Sequence, residues 1–109
     1  MDSRKNIYEI EFTEDCRDEI RDIYKYISET LKAEGAAKKL MKKMRDNVMA
    51  LAESPEIYVI LPKKDRRKRD FRRMVVDNYV ILYTIDESKK TIYISHMYYG
   101  KRNYMDGLL

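Results

Sequence analysis

The sequence has few of the residues that build disulfides, metal sites or phosphate-binding loops. It contains one cysteine, Cys16, one histidine, His96, and three glycines. A single cysteine cannot form an internal disulfide, and no histidine–cysteine pair has the spacing of metal ligands. So few glycines also exclude a glycine-rich phosphate loop. We therefore expect a protein without metal or other cofactors.

Long hydrophobic runs and targeting patterns are also missing. No apolar stretch approaches the roughly 20 residues that a membrane-spanning helix needs, and the N-terminal residues do not have the pattern of a signal peptide. Together with the single cysteine, this predicts a cytoplasmic protein with no membrane partner. A serine hydrolase is disfavoured, because no serine lies in a nucleophile-elbow motif.

The composition is that of one folded domain. The 109 residues fit a single domain, residues 1–109. A hydrophobic content of 44% argues against a disordered chain. The charged content of 39% is well above the usual roughly 25%, so large parts of the helices must face water.

Positive charge is concentrated in one segment. Residues 63–73 hold eight basic and two acidic residues, whereas the rest of the chain holds 15 basic and 17 acidic residues. The segment predicts an anionic partner, either nucleic acid or an acidic protein. With one further cation near the C-terminus, the residues that we expect to bind nucleic acid are Lys63, Lys64, Arg66, Arg67, Lys68, Arg69, Arg72 and Lys101. The alternative is that residues 63–69 form a solvated loop that orders only on a partner.

The first half of the chain has the pattern of a strand followed by two helices. Residues 7–12 alternate between polar and apolar, which predicts a strand. Thr13 is the predicted N-cap of a helix whose apolar stripe runs from Cys16 to Leu31. A second amphipathic helix follows Gly35 and ends at residues 53–55, because proline cannot continue the helix. Two helices joined by a few residues predict an antiparallel α-hairpin.

The second half is predicted to form a sheet. Residues 57–61 predict a short extended piece, and the charged residues 62–69 predict an exposed loop. Strands are expected at residues 71–76, at residues 79–85 and from Thr91 onwards, with a turn at Asp77–Asn78. Apolar residues on both parities of the last strand indicate that both of its faces are covered. The predicted fold class is α+β: a single small domain of order βααβββ, with an antiparallel-rich sheet packed against an N-terminal α-hairpin.

Several candidate functional side chains follow the predicted strands. Arg73 leaves one strand, and Arg102 and Tyr104 leave the last one. Arginines bind phosphate groups and stabilise the charge of a pentavalent phosphate. Metal-free RNA cleavage also needs a base and an acid, which His96, Tyr104 or a lysine of shifted pKa would supply. The alternative for His96 is a half-buried residue that only forms hydrogen bonds.

These features together resemble a known family. The βααβββ order, Arg72-Arg73 ahead of the segment Asn-Tyr-Val-Ile-Leu-Tyr at residues 78–83, and Tyr-Gly-Lys-Arg-Asn-Tyr at residues 99–104 are similar to the RelE/ParE superfamily of bacterial toxins. These are the toxins of type II toxin–antitoxin pairs. The resemblance covers nearly the whole chain, from Ile7 to Tyr104.

The resemblance implies a growth inhibitor that a cognate antitoxin protein neutralises. RelE-like members enter the ribosome and cut mRNA, whereas ParE-like members inhibit DNA gyrase. Operator DNA would be bound only through the complex with the antitoxin. We expect the antitoxin on an exposed apolar strip between the helices and the sheet edge.

The resemblance also implies roles for individual residues. Arg73 matches a basic residue of RelE-like toxins, Arg102 matches the arginine of their Gly-Lys-Arg segment, and Tyr104 is a loose match to their C-terminal tyrosine or histidine. His96 stands where many relatives have an arginine. Val80 stands where RelE-like toxins have another arginine, which weakens the nuclease hypothesis. Three hypotheses follow: a ribosome-dependent endoribonuclease with Arg73, Arg102, Tyr104 and His96 as catalytic residues; a gyrase inhibitor without nuclease activity; and an inactive nucleic-acid-binding relative.

Overall fold

The structure is a computed structural model, and it describes residues 7–100. These residues form two helices and one five-stranded mixed sheet. In chain order the elements are β1 (Glu9–Phe12), α1 (Glu14–Lys25), α2 (Glu34–Ala50), β2 (Val59–Lys64), β3 (Asp70–Val76), β4 (Tyr79–Asp86) and β5 (Thr91–Tyr99).

The last two strands lie in the interior of the sheet. The strand order is β1-β5-β4-β3-β2, so β4 is central and β5 pairs on both sides. β1 is parallel to β5, and the other neighbours are antiparallel. The predicted α+β class with an antiparallel-rich sheet is therefore confirmed.

The first helix begins where the sequence predicts. Thr13 is its N-cap, with its side-chain oxygen accepting a hydrogen bond from the backbone N–H of Cys16. The predicted stripe ends early, however, because a π-helical turn follows α1 at Tyr26–Thr30. The turn changes the angular phase of the helix, so Ile27 is buried while Leu31 is 54% exposed. Neither helix within residues 7–100 has the length and apolar character to cross a bilayer.

The second helix packs through one apolar face, as its amphipathic sequence predicted. It buries Ala37, Leu40, Met44 and Val48 against the sheet. It begins at Glu34, so Gly35 lies in its first turn and does not separate the helices. Lys32 supplies the left-handed backbone conformation of the connection instead, with φ of 55°.

The segment after α2 corrects the predicted strand count. β2 spans Val59–Lys64 and is a fifth strand. We predicted only four strands, with a short extended piece at residues 57–61 and an exposed loop from residue 62. Because β2 is the edge strand of the sheet, Lys64 reaches water while its backbone pairs with Asp70 of β3. The charge of these residues therefore does not prevent them from forming a strand. The turn between β2 and β3 is confined to residues 65–69.

The last strand contains a β-bulge that changes which of its residues lie on the same face of the sheet. Leu82 of β4 pairs with His96 but Tyr83 pairs with Ile94, so Ser95 is an extra residue in β5. Such a bulge reverses the alternation of side chains beyond it. Ile94 and Met97 therefore belong to the same buried cluster despite their different parity. Our prediction that the two parities marked two faces was wrong for Met97.

Two apolar clusters cover the two faces of the sheet. The larger one lies under the helices and includes Cys16 and Val48 together with Ile81, Tyr83 and Ile92. The smaller one is built by alternating residues of β2 to β5, and we call it the open-face cluster because neither helix contributes to it. Its members are Leu61, Phe71, Val80, Leu82 and Tyr98.

Candidate functional site

The predicted site residue His96 forms a hydrogen-bonded group with Glu19 and Tyr98. Its Nδ1 atom lies 3.1 Å from Oε2 and 3.3 Å from Oε1 of Glu19, and 3.0 Å from the hydroxyl oxygen of Tyr98. The rings of His96 and Tyr98 stack with centroids 5.2 Å apart. The side chains of His96 and Glu19 are 18% and 25% exposed, so the pair is half-buried and reachable from solvent.

The short first strand explains why Glu19 reaches this position. β1 pairs with β5 only as far as Ile94, and Thr13 then ends the pairing by donating its backbone N–H to the Ile94 carbonyl at 3.0 Å. The Thr13 hydroxyl donates to the Ser95 carbonyl at 3.1 Å. Beyond this point α1 lies along the edge of β5, and the Met97 backbone N–H donates to Oε1 of Glu19 at 3.0 Å.

A concavity joins His96 to the turn between β2 and β3. Its walls come from the start of α1, from that turn and from β3 and β5. The lining residues are Thr13, Asp15, Asp65, Arg66, Arg67, Arg69, Phe71, Tyr93, Ser95 and His96. We call this the His96 concavity. It brings part of the predicted basic segment together with one predicted proton-transfer group.

The turn that forms one wall of this concavity is held by Asp65. Its Oδ1 atom accepts the backbone N–H of Arg67 at 2.9 Å and that of Arg69 at 2.8 Å. Its Oδ2 atom accepts Nε–H of Arg69 at 2.8 Å. This network stabilises the left-handed conformation of Lys68, whose φ is 66°.

Arg69 has an internal role in the turn. Its guanidinium group also lies 3.5 Å from Asp86 and 4.9 Å from the centre of the Tyr93 ring. The pKa of Asp86 is held below its usual value, first by the hydrogen bond from Ser88 and further by the backbone N–H of Lys89 and the charge of Arg69. With two carboxylates and one aromatic ring around it, Arg69 is poorly placed to bind a phosphate.

Apart from Arg73, which is described below, the other basic residues of the segment divide into two groups. Lys64 forms an ion pair with Asp70, and Arg72 donates to the backbone carbonyls of Glu56 at 3.1 Å and Tyr58 at 2.9 Å. The second group has no ion pair within residues 7–100 and consists of Lys63, Arg66, Arg67 and Lys68. Arg66 and Arg67 of this group line the His96 concavity.

Arg73 lies in the middle of β3 and not at a strand end as predicted, because β3 continues to Val76. It is on the same face of the sheet as His96 but outside the His96 concavity. It borders a separate depression together with Asn78, Tyr99 and Gly100. Val80, the departure from the RelE-like pattern, also borders this depression and is 5% exposed within the open-face cluster. Lys101, Arg102 and Tyr104 lie outside the described residues, so the structure does not place them relative to Arg73.

A second surface feature is an apolar groove between the helices and β1. Its floor consists of Phe12, Ile20, Tyr24, Met41 and Met44, and its rim consists of Arg17, Arg21 and Arg45. We call it the helix groove. It lies where the sequence predicted an exposed apolar strip between the helices and the sheet edge.

Comparisons with known proteins identify the family. The model of the ParE toxin of type II toxin–antitoxin systems matches residues 10–104, which is most of the chain. The chain belongs to this toxin family. A search of curated protein sequences found no match to this toxin.

Solved structures of related toxins have the same fold. The toxin of the chromosomal ParDE system from P. aeruginosa superposes with a TM-score of 0.68 at 14% identity, over 86% of this toxin and 97% of that chain. A variant of the E. coli toxin RelE in the free state gives 0.61 at 15% identity, over 94% and 93%. The toxin–antitoxin complex RelBE2 from Mycobacterium tuberculosis gives 0.60 at 16% identity, over 85% and 98%. The RelE/ParE-like fold predicted from the sequence is thereby confirmed.

Sequence reasoning missed Glu19 as part of the site. Glu19 and His96 are 77 residues apart, and their contact depends on where β1 ends. The available signal was local: Glu19 lies three residues after Cys16, next to the buried stripe of α1. An acidic residue beside a buried stripe indicates a partner on the neighbouring element.

Proposed function

We propose that this toxin inhibits growth by ribosome-dependent cleavage of mRNA. The observation that carries the proposal is the position of His96, which lines one concavity together with Arg66 and Arg67, two cations without a carboxylate partner in the described part of the chain. Proton transfer and phosphate binding are the two tasks that metal-free RNA cleavage needs, and this surface offers groups for both.

The half-buried setting of His96 favours proton transfer. Histidine exchanges protons near neutral pH, and a carboxylate at one ring nitrogen orients the other. Within residues 7–100, Nδ1 has hydrogen-bond partners and Nε2 has none. Nε2 is therefore the ring nitrogen available to a substrate in the His96 concavity.

The cations around the concavity suit an RNA substrate. Arg66 and Arg67 are exposed on the turn, and Lys63 and Lys68 lie on either side of them in the sequence. Guanidinium groups bind phosphates in a bidentate manner, and lysines add charge. Arg73 would contribute from the neighbouring depression in this proposal, and the family resemblance assigns Arg102 and Tyr104 to the same reaction.

Gyrase inhibition without nuclease activity is the second candidate. It is favoured by Val80, whose apolar side chain is buried where RelE-like toxins have an arginine, and by the match to the ParE toxin model. A protein-binding inhibitor needs no proton-transfer group. Its activity would depend on surface contacts and not on His96.

Primer extension on programmed ribosomes tests the proposal. The purified toxin is expected to produce new mRNA 3′ ends at the ribosomal A site, and His96→Gln is expected to reduce them while the protein remains folded. The matched control is Met49→Gln, a change to the same residue at a position of α2 that is 52% exposed and outside the concavity. Absence of cleavage by a wild-type toxin that blocks gyrase supercoiling would replace the proposal with the second candidate.

We also propose that the helix groove binds the antitoxin. Its apolar floor and three rim arginines fit an amphipathic helix with apolar residues on one side and acidic residues along its flanks. Arg17 and Arg45 have no ion pair within residues 7–100, so their charges are available to such a partner. The groove lies on the opposite side of the sheet from the open-face cluster.

A further inference from the structure

We propose that Glu19 is a positioning residue that sets the tautomer of His96, keeping the proton on Nδ1 so that Nε2 acts as the general base. This inference rests on the proposed cleavage of RNA and gives one side chain of α1 a role in it. The active atom remains Nε2 of His96, and Glu19 acts through the imidazole ring.

The hydrogen-bond geometry allows only two arrangements of a neutral imidazole. Nδ1 lies within hydrogen-bond distance of both Glu19 oxygens and of the Tyr98 hydroxyl. If Nδ1 carries the proton, it donates to Glu19 and Nε2 holds a lone pair. If Nδ1 lacks the proton, it accepts from the Tyr98 hydroxyl, and Nε2 carries the proton and cannot act as a base.

The charge of Glu19 favours the first arrangement. A hydrogen bond to an ionised acceptor is roughly twice as strong as one between neutral groups. In the second arrangement the carboxylate would also face the lone pair of Nδ1, which is repulsive. The carboxylate itself is held in place, because its Oε1 atom accepts the backbone N–H of Met97.

The charge of Glu19 acts on a second group in the same region. Burial raises the pKa of the Cys16 thiol to about 12, and the negative charge of Glu19 contributes to this increase. Cys16 and His96 therefore both lie close to one carboxylate, but only the imidazole reaches the concavity.

The reaction balances with this assignment. A ribose 2′-hydroxyl in the His96 concavity gives its proton to Nε2, and the 2′-oxygen forms a bond to the adjacent phosphorus. The bond between phosphorus and the 5′-oxygen breaks, and that oxygen takes a proton from water. The products are a 2′,3′-cyclic phosphate and a 5′-hydroxyl, and the protonated imidazole then releases its proton to solvent.

Glu19→Gln separates the electrostatic role of Glu19 from its structural role. The amide oxygen of Gln still accepts the Met97 N–H, but its NH₂ group then faces Nδ1 as a donor. We expect the neutral imidazole to change from the Nδ1–H to the Nε2–H tautomer, which ¹⁵N chemical shifts of the two ring nitrogens report directly. Glu29→Gln is the matched control, because Glu29 is an exposed carboxylate of the π-helical turn and no contact joins it to His96.

Wild type and Tyr98→Phe provide tests that do not depend on the folding of Glu19→Gln. Both are expected to keep the Nδ1–H tautomer, since the carboxylate alone is sufficient. An Nε2–H tautomer in the wild type, or an unchanged tautomer in folded Glu19→Gln, would overturn the role of Glu19.

Cleavage kinetics then separate this inference from the proposed function. Glu19→Gln is expected to lower the single-turnover rate constant on programmed ribosomes by up to roughly 10⁴-fold, the loss seen when the carboxylate of a serine-protease triad becomes an amide. The toxin concentration that gives half of the maximal rate is expected to stay the same. A wild type that cuts no mRNA would overturn the proposed function, whereas the tautomer measurement would still decide the role of Glu19.

Discussion

Arg73 and His96 pair with the same residue from its two sides, since Leu82 of β4 is opposite Arg73 in β3 and opposite His96 in β5. Their side chains therefore leave the same face of the sheet, roughly 10 Å apart by two strand spacings. Leu82 between them is fully buried. The predicted phosphate-binding residue and the predicted proton-transfer residue thus share one surface but border different depressions.

Replacing Arg66 and Arg67 together with alanine is expected to weaken cleavage at least tenfold and to leave thermal stability unchanged, because neither side chain has an ion pair within residues 7–100. Arg69→Ala is expected to lower the melting temperature, since its bonds to Asp65 and Asp86 hold the turn. Primer extension and thermal unfolding measure the two effects. Equal activity of the double variant and the wild type would contradict a nucleic-acid-binding role for the turn.

Cys16 is expected to make the free energy of unfolding depend on alkaline pH. Burial raises the pKa of its thiol from 9.0 to about 12, so the folded state disfavours the thiolate. This contribution is complete below pH 9 and decreases as the pH rises towards 12, by at most about 1.4 kcal/mol per pH unit. Urea unfolding of wild type and Cys16→Ala should show a stability difference that shrinks between pH 9 and pH 11. A constant difference would contradict the prediction.

Tyr83→Phe is expected to destabilise the toxin by about 1–2 kcal/mol. The buried Tyr83 hydroxyl donates to the Pro55 carbonyl at 2.6 Å, and the variant leaves that carbonyl without this donor. The bond holds the segment between α2 and β2 against the centre of the sheet. Chemical unfolding measures the change, and Tyr26→Phe is the control because Tyr26 is 56% exposed. Equal losses in the two variants would argue against a specific role of the bond.

Reversing two charges at the rim of the helix groove is expected to weaken antitoxin binding. The double variant Arg17→Glu, Arg45→Glu should lose about 100-fold or more in affinity for the cognate antitoxin, because acidic flanks would meet like charge. Calorimetric titration measures the loss, and Lys25→Glu with Lys39→Glu is the matched control, because these exposed lysines lie outside the groove and have no ion pair within residues 7–100. An antitoxin that contacts only the turn at residues 65–69 would contradict this placement.

Hydrophobic periodicity predicted the helices and the central strands well, because each buries one continuous stripe or face. It was less informative at the edge of the sheet. The backbone of β2 is hydrogen-bonded to a neighbouring strand on one side only, and Lys64 extends into water. The residues of β2 therefore have the charged composition of a loop. The bulge at Ser95 brings Ile94 and Met97 to the same face, although they have opposite parity in the sequence. The polar–apolar alternation of the sequence does not reveal a single extra residue of this kind.

The candidate site was predictable only in part. His96 and the basic segment were identified from residue type, and the structure brings them to one concavity. The internal roles of Arg69 and Arg72 were not predictable, since they depend on Asp86 and on the Glu56 and Tyr58 carbonyls, which are distant in sequence. Glu19 was missed because only the early end of β1 lets α1 reach β5.

Pro62 in the edge strand has a consequence for self-association. An exposed sheet edge is a template for other strands, and aggregation commonly starts there. Pro62 has no N–H to offer to an incoming strand, the register of β2 shifts between Ile60 and Lys64, and Lys63 and Lys64 add repulsive charge. The exposed apolar side chains of Val59 and Ile60 therefore lie on an edge that a second copy of this chain cannot readily extend, which favours solubility at high protein concentration.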